Sequence, residues 1–312
     1  MDNLAIIYDE KFLLHAPQFY HPENPQRITS ILNLLKEKSF LNDVQIMRPA
    51  LAPDEYILSA HSGEHLSLVR DSIFEGKNFI DSGDTYVVND SWIAALLSAG
   101  SGLTAVDLVA DKKAKNVFCL IRPPGHHAGV STPMGFCLFN NIAIAAQYAL
   151  QKYKLNRIAI VDWDVHHGNG TQEIFYDTEK VYYISLHQYP FYPGTGSEEE
   201  RGAGKGFGYT LNFPLPPRTD GKKYLQLFDQ YILTELKNFK PQMILISAGF
   251  DAHAKDPLAD MKLDENDFAL MTIKLNEFAD KNNIAIISFL EGGYDLNALA
   301  KSVFEHLKIL KQ

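Results

Sequence analysis

Short apolar runs rich in β-branched residues alternate along the chain with longer stretches of helical periodicity. The runs predict strands at residues 5–8, 117–121, 158–161, 181–186, 243–247 and 284–290. Apolar residues recurring three and four positions apart predict helices at residues 26–38, 61–74, 91–110, 140–154, 222–239, 265–282 and 296–310. This alternation is typical of a mostly parallel central sheet flanked by helices on both faces, an α/β fold.

The predicted helix starts and the even composition along the chain favour a single domain. Thr219 or Asp220 is predicted to cap the helix at residues 222–239, and Asp264 the helix at residues 265–282. The sequence shows no repeat, low-complexity run or shift in composition that would mark a domain boundary. We therefore expect one domain, of the size of a catalytic domain, over residues 1–312.

Composition narrows the classes of partner. Hydrophobic residues make up 46% of the chain, charged residues 21%, and the formal net charge is -9. Such a surface repels phosphates and anionic lipid, so direct nucleic acid binding and membrane association are not expected, whereas cationic partners are mildly favoured. Cys119 and Cys137 are too few for a disulfide framework.

The same sequence indicates a cytoplasmic location. No apolar run is expected to approach the ~20 residues of a membrane span. The first residues carry no basic segment or cleavage site typical of a signal peptide. Secretion by a route without a signal peptide stays open.

Chemically reactive side chains follow four of the predicted strands. His126 and His127 come after residues 117–121; Asp162, Asp164, His166 and Asn169 come after residues 158–161; Asp251 and Tyr294 come after the last two strands. Ligands of open α/β sheets bind beyond the carboxyl ends of the strands. These side chains are therefore expected to meet at one edge of the sheet.

Asp164, His166 and Asp251 are the predicted metal ligands. Residues two apart in extended backbone point to the same side, so Asp164 and His166 can share one ion, with Asp251 arriving from another strand. One imidazole and two carboxylates suit zinc (Zn²⁺) and leave room for water and substrate. Iron(II) or cobalt would tolerate the same ligands, and an isolated Asp-x-His is more often a capped loop. Asp162 is either a support for the site or a buried carboxylate held by backbone N–H groups.

Two histidines and a tyrosine offer acid–base and electrophilic chemistry. The Pro-Pro-Gly turn before His126 and His127 is rigid, and each imidazole needs an acceptor on its far nitrogen, with Asp162 and Asn169 as candidates. An Asp partner would raise the basicity of one imidazole more than an Asn partner would raise the other. Tyr294 follows two glycines and is placed to donate to a developing oxyanion, although a partly buried structural tyrosine is the common alternative.

These strings together resemble the histone deacetylase and acetylpolyamine amidohydrolase superfamily, which has an arginase-like α/β fold. The resemblance runs from Asp9 and the string His-Pro-Glu-Asn-Pro-Gln-Arg at residues 21–27 to Glu-Gly-Gly-Tyr at residues 291–294, and Asn169 in His-His-Gly-Asn-Gly resembles the class II type. It implies zinc on Asp164, His166 and Asp251. It also implies that His127 is the general base and acid, His126 its electrostatic partner and Tyr294 the residue that polarises the carbonyl.

The resemblance further implies a tunnel for an acyl-lysine side chain. Gly135 and Phe136 match one wall, Tyr192 stands where many relatives have Phe, and Asp84 matches a rim residue that holds the substrate backbone. Leu258 lines the mouth where a polyamine-selective relative has Glu, which favours acetyl-lysine in a peptide. Two structural potassium (K⁺) sites are implied as well, one at Asp162, Asp164, His166, Ser185 and Leu186, the other at Phe175, Thr178, Val181 and Tyr209.

The expected activity is hydrolysis of N-ε-acetyl-lysine in peptides or proteins to free lysine and acetate. The alternatives are a deacetylase of acetylpolyamines or other small amides, an arginase-like hydrolase with two manganese ions, and a non-catalytic reader of acetyl-lysine. The sequence leaves open the acyl-chain preference, the choice between peptide and polyamine, and the oligomeric state.

Overall fold

Eight parallel strands form the centre of the computed structural model, which describes residues 2–81 and 83–312. The strands are β1 (Asp2–Ile7), β2 (Gln45–Met47), β3 (Ala114–Cys119), β4 (Ile158–Asp162), β5 (Val181–Gln188), β6 (Thr210–Leu215), β7 (Met243–Ala248) and β8 (Ala285–Leu290). Their order in the sheet is β2-β1-β3-β8-β7-β4-β5-β6, and every neighbouring pair is parallel. The predicted α/β class is confirmed.

Helices connect the strands and cover the sheet. They are α1 (Gln26–Glu37), α2 (Asp54–Ile57), α3 (Gly63–Phe74), α4 (Ser91–Ala110), α5 (Asn141–Lys152), α6 (Asn169–Phe175), α7 (Gly221–Leu227), α8 (Leu233–Phe239), α9 (Glu265–Asn282) and α10 (Leu296–Leu310). A π-helical turn, Phe228–Ile232, joins α7 to α8. The seven predicted helices are therefore present, with ends shifted by at most two residues.

The predicted helix caps form as hydrogen bonds. The Asp220 carboxylate accepts the N–H of Lys223 at the start of α7, so Asp220 rather than Thr219 is the cap. Asp264 and Asp267 exchange side-chain and backbone bonds in a capping box at the start of α9. Local sequence thus fixes where these two helices begin.

Two strands and two short helices were not predicted. β2 is three residues long and largely exposed at one edge of the sheet, so it carries no apolar run. β6, at the other edge, mixes buried and half-buried residues and contains Pro214. The helices α2 and α6, of four and seven residues, are too short for a periodic signal.

The expectation that no apolar segment reaches membrane-span length is wrong for α4. This helix has 20 residues, and its most apolar window has a mean hydropathy of 1.7, which meets the length and composition of a span. However, 78% of that window is buried inside the fold, where α4 packs against α5 and β3. Its apolar character is that of a core helix.

The sheet order brings the reactive strand ends together. β3, β8, β7 and β4 are consecutive neighbours, and β7 and β4 are buried along their whole length. Because all four run in the same direction, their carboxyl ends meet at one edge. The loops that leave this edge carry the predicted site.

Candidate active site

Asp164, His166 and Asp251 converge where β4 and β7 end. The Nδ1 atom of His166 lies 3.1 Å from Oδ1 of Asp164 and 3.1 Å from Oδ2 of Asp251. One ligand atom from each residue lies within 4.8 Å of the other two. The backbone of Asp164 and His166 is bent rather than extended, so the predicted geometric reason for their common direction is wrong although the side chains do meet.

The chemistry of this cluster fits a divalent cation. Both carboxylates are buried, and backbone N–H groups of Val165 and Gly292 donate to them at 2.8 and 2.7 Å. Burial, followed by the negative charge of Asp164, raises the pKa of Asp251 to about 7. A cation between the carboxylates would relieve this repulsion, and two carboxylates with one imidazole are a donor set that zinc accepts.

Gly292 allows this approach because it has no side chain. A Cβ atom there would lie 2.1 Å from Oδ2 of Asp251 and 2.6 Å from Oδ2 of Asp164. The loop after β8 can therefore pass directly over the two carboxylates only with glycine at this position.

The two histidines are held by different partners. His126 donates from Nδ1 to Oδ2 of Asp162 at 3.1 Å, and His127 donates from Nδ1 to Oδ1 of Asn169 at 2.8 Å. The far nitrogen of each ring is thereby fixed, which leaves Nε2 of each available for other contacts. Asp162 also accepts from the Tyr183 hydroxyl at 3.0 Å and from the N–H of Asp164 at 3.1 Å, so it both supports His126 and is satisfied by its surroundings.

These different surroundings shift the pKa values of the two imidazoles in opposite directions. Burial alone would lower the pKa of His126, but the carboxylates of Asp164 and Asp162 outweigh it and raise the pKa to about 10. Burial and the neighbouring His126 lower the pKa of His127 well below its ordinary value. His127 is therefore the neutral imidazole of the pair at neutral pH.

Glu291 holds the turn that presents the histidines. Its Oε2 atom accepts the N–H of Gly125 at 2.7 Å and the N–H of His126 at 3.2 Å. Glu291 is fully buried, and burial raises its pKa to about 7. The loop after β8 thus fixes the loop that leaves β3.

Tyr294 faces the same space from the loop after β8. The Nε–H of Arg27 donates to the carbonyl of Gly293 at 2.8 Å, and the Arg27 guanidinium lies 5.1 Å from the centre of the Tyr294 ring. Gly293 has a φ of +126°, a conformation that other residues rarely adopt. Burial raises the pKa of Tyr294 well above its ordinary value, so its hydroxyl remains a donor.

A cavity of about 220 Å³ opens onto these groups. Its walls are Asp84, His127, Gly135, Phe136, His166, Phe191, Tyr192, Leu258 and Tyr294. The Tyr192 ring meets the His127 ring edge to face at 5.2 Å, and the Phe191 ring stacks on His166 at 5.5 Å. The structure therefore gathers all five predicted tunnel residues around one cavity.

Gly135 and Asp84 show how the walls are built. Gly135 has a φ of +58°, and a Cβ atom there would lie 2.4 Å from the His127 ring. At the rim, burial and a hydrogen bond with Asp81 raise the pKa of Asp84 to about 6. The deep wall is thus closely packed, and the rim is acidic.

Comparison with known proteins identifies the family. The sequence model described as the histone deacetylase domain matches residues 21–310. The chain belongs to the histone deacetylase family. The crystal structure of the HDA15 HD domain superposes with a TM-score of 0.95 at 36% identity and covers 100% of this chain and 90% of that one. This confirms the predicted resemblance and the deacetylase-like fold.

Two relatives of this histone deacetylase family member carry deacetylase names. A "probable deacetylase" of Archaeoglobus fulgidus is 40% identical over 94% of this chain and 81% of its own length. "Histone deacetylase 10, chloroplastic" of Oryza sativa subsp. japonica is 39% identical over 91% of this chain and 68% of its own length. The family is one of deacetylating hydrolases.

The predicted potassium residues lie in two places in this histone deacetylase fold. Asp162 and Ser185 are register partners on β4 and β5, next to Asp164, His166 and Leu186. Phe175 ends α6, its carbonyl accepts the N–H of Thr178 at 3.4 Å, and Val181 begins β5. The carbonyl of Tyr209 accepts the N–H of Tyr183, two residues after Val181 on β5. Potassium binding at these residues stays a prediction.

Several residues around the histone deacetylase site were given no role from sequence. Glu23 is fully buried, and its carboxylate accepts from Arg122 at 2.5 and 2.6 Å and from Arg27 at 3.1 Å. Phe191 lines the cavity beside Tyr192. The charged residues of the string at residues 21–27 were a usable signal, because buried Glu and Arg need each other.

Proposed function

We propose that the protein is a zinc-dependent deacetylase that hydrolyses N-ε-acetyl-lysine in peptides or proteins to free lysine and acetate. One observation carries the proposal. A single cavity is lined by His127, by His166 of the metal-ligand cluster and by Tyr294, so a base, a cation site and an oxyanion donor face one reacting group.

Asp164, His166 and Asp251 are the residues that would hold zinc. When bound there, zinc supplies Lewis-acid polarisation of the amide carbonyl and lowers the pKa of water. Asp164 and Asp251 are buried and bonded to backbone N–H groups, so these two ligands are held in place by the fold.

His127 is the proposed general base and acid. Its pKa is lowered by burial, and Asn169 fixes its Nδ1, so Nε2 is free to take a proton from water and return it to the leaving amine. His126, paired with Asp162 through Nδ1, is the proposed electrostatic partner that balances the developing negative charge.

Tyr294 is the proposed electrophilic partner. Its hydroxyl would donate to the carbonyl oxygen as negative charge develops and the amide carbon becomes tetrahedral. Since its pKa is raised, the hydroxyl keeps its proton through this step.

The cavity walls suit the side chain of acetyl-lysine. Phe136 and Tyr192 offer aromatic faces to a methylene chain, and Leu258 gives the mouth an apolar edge that cannot pair with a second ammonium. Asp84 at the rim is placed to accept from the substrate backbone. An acetylpolyamine remains the alternative substrate.

A side-by-side assay tests this function. Purified protein is given an acetyl-lysine peptide and acetylspermidine, and acetate release is measured before chelation, after chelation and after zinc is returned. Rapid release from the peptide, lost on chelation and restored by zinc, is the expected result. Faster release from acetylspermidine would favour the polyamine alternative, and peptide binding without acetate release would favour a reader.

A further inference from the structure

Asp256 connects the loops that leave β7 and β8. Its side chain is buried, with a relative exposure of 7%. Oδ2 accepts the N–H of Tyr294 at 2.7 Å, and Oδ1 accepts the N–H of Leu258 at 3.0 Å. A single carboxylate thus ties the backbone of two cavity-lining residues that are 36 positions apart in the chain (294 − 258).

Asp256 and Arg27 together hold the backbone at Tyr294. Arg27 holds the preceding carbonyl, that of Gly293, and covers one face of the Tyr294 ring. Asp256 holds the N–H of Tyr294 itself. The backbone of Tyr294 is therefore fixed on two sides, while its hydroxyl is left for other partners.

The position requires an ionised carboxylate or a close equivalent. Burial raises the pKa of Asp256 to about 6, and N–H groups of Leu258, Tyr294 and Asp295 act in the opposite direction. Both carboxylate oxygens accept, whereas an amide would offer one acceptor and turn an NH₂ group towards the second N–H. Replacement by Asn therefore breaks one of the two ties, and replacement by Ala breaks both.

We propose that Asp256 is a positioning residue that sets the hydroxyl of Tyr294 relative to the reacting carbonyl and fixes Leu258 at the mouth. Asp256 lies behind the cavity wall, so it acts through these two residues. The inference rests on the role proposed above for Tyr294.

Asp256→Asn and Asp256→Ala test the proposal, with Asp260→Asn, an exposed carboxylate of the same loop, as control. Misplacement of a reacting group by ~1 Å costs about 100-fold in rate, so kcat should fall by roughly tenfold in the Asn variant and by about 100-fold in the Ala variant. Zinc content should be unchanged, and Asp260→Asn should retain wild-type kcat.

Two further measurements separate positioning from general damage to the fold. In a Tyr294→Phe background, Asp256→Asn should lower kcat by less than about twofold, because its partner group is already gone. Hydrogen–deuterium exchange should be faster than in wild type at one of the two amides, that of Leu258 or that of Tyr294, in Asp256→Asn, and at both in Asp256→Ala. This exchange measurement needs no catalysis, so it is informative even if the proposed function fails, and the Asn variant serves if the Ala variant does not fold.

The opposite results overturn the proposal. An equal loss of kcat from Asp256→Asn with and without the Tyr294 hydroxyl would place its effect elsewhere. Unchanged exchange at both amides would show that the two ties do not hold these loops. A wild-type protein without deacetylase activity would instead refute the proposed function, and the exchange result would still decide whether Asp256 holds the loops.

Discussion

At the scale of single residues, Tyr294 is the sharpest test of the proposed chemistry. Tyr294→Phe keeps the ring against Arg27 but removes the donor, and loss of one oxyanion donor costs about 10²–10³-fold in kcat. We expect that loss with KM and zinc content near wild type. Steady-state kinetics measures kcat and KM, and elemental analysis measures zinc content. Tyr231→Phe, at a half-exposed position, is the control. Wild-type turnover in Tyr294→Phe would remove the assigned role.

Glu23 tests the buried ion cluster beneath the site. Burial opposes its charge, but Arg122 and Arg27 outweigh burial and lower the pKa of Glu23 to about 2. Glu23→Gln leaves both guanidinium groups facing a neutral amide, so the free energy of unfolding should fall by about 3–5 kcal/mol.

Urea denaturation of Glu23→Gln at neutral pH gives this value. Glu37→Gln is the matched control, because Glu37 is 70% exposed in its ion pair with Lys38 and should change stability by less than about 0.5 kcal/mol. A Glu23→Gln variant as stable as the control would show that the cluster contributes little to the fold.

At the scale of elements, prediction from sequence succeeded where one strand or helix carries its own signal. β4 and β7 are buried along their whole length and read as continuous apolar runs, and Asp264 marks the start of α9. The edge strands β2 and β6 have no such run, since β2 is largely exposed and β6 mixes buried with half-buried residues.

For the site, too, residues with a local sequence signal could be predicted, and contacts between distant residues could not. Its reactive residues were found because they come directly after strands, and the comparison with a family then gave them roles to test. Glu23 and Arg122, 99 positions apart, and Asp256 and Tyr294, 38 apart, have no local pattern that would pair them. Contacts between loops depend on the assembled sheet, so only the structure shows them.

His306 links α10 to its neighbours, and its burial predicts a pH-dependent stability. The ring is fully buried and bonds to the Thr272 hydroxyl of α9 at 2.7 Å and the Ser288 hydroxyl of β8 at 3.0 Å. Burial lowers its pKa from 6.5 to about 3. Between these values the unfolded chain binds a proton that the folded chain does not, so stability falls as pH drops from about 6.5 towards about 3.

Replacing His306 should flatten that dependence. His306→Gln should reduce the slope of unfolding free energy against pH, between pH 6 and 4.5, by up to about 1.4 kcal/mol per pH unit. Denaturation at a series of pH values measures the slope separately from any uniform loss of packing. Lys308→Gln, exposed on the same helix, should leave the slope unchanged, and an unchanged slope in His306→Gln would contradict a neutral buried imidazole.

At the scale of the whole molecule, the cluster of Asp164, His166 and Asp251 should lower the stability of the metal-free fold. Asp164 and Asp251 place two carboxylates in the core beside one imidazole, and like charges held close in the interior repel. Asp251→Asn removes a buried charge and that repulsion, which together outweigh the contact with His166 because the pKa of Asp251 is raised to about 7, while its amide oxygen can still accept the N–H of Val165. The metal-free variant should therefore be at least as stable as metal-free wild type, by roughly 0–3 kcal/mol.

With zinc bound, wild type should become more stable than Asp251→Asn. A ligand that binds only the folded state at 1,000 times its Kd adds about 4 kcal/mol, and wild type should gain this while Asp251→Asn gains little. Thermal unfolding of both proteins with chelator and with zinc measures the crossing. Equal stabilisation of the two by zinc would mean that Asp251 is not a ligand, and a less stable metal-free variant would mean that the carboxylate pair is not a burden on the fold. If the curves do cross, the repulsion built into this edge of the sheet is the reason that the fold accepts a cation there.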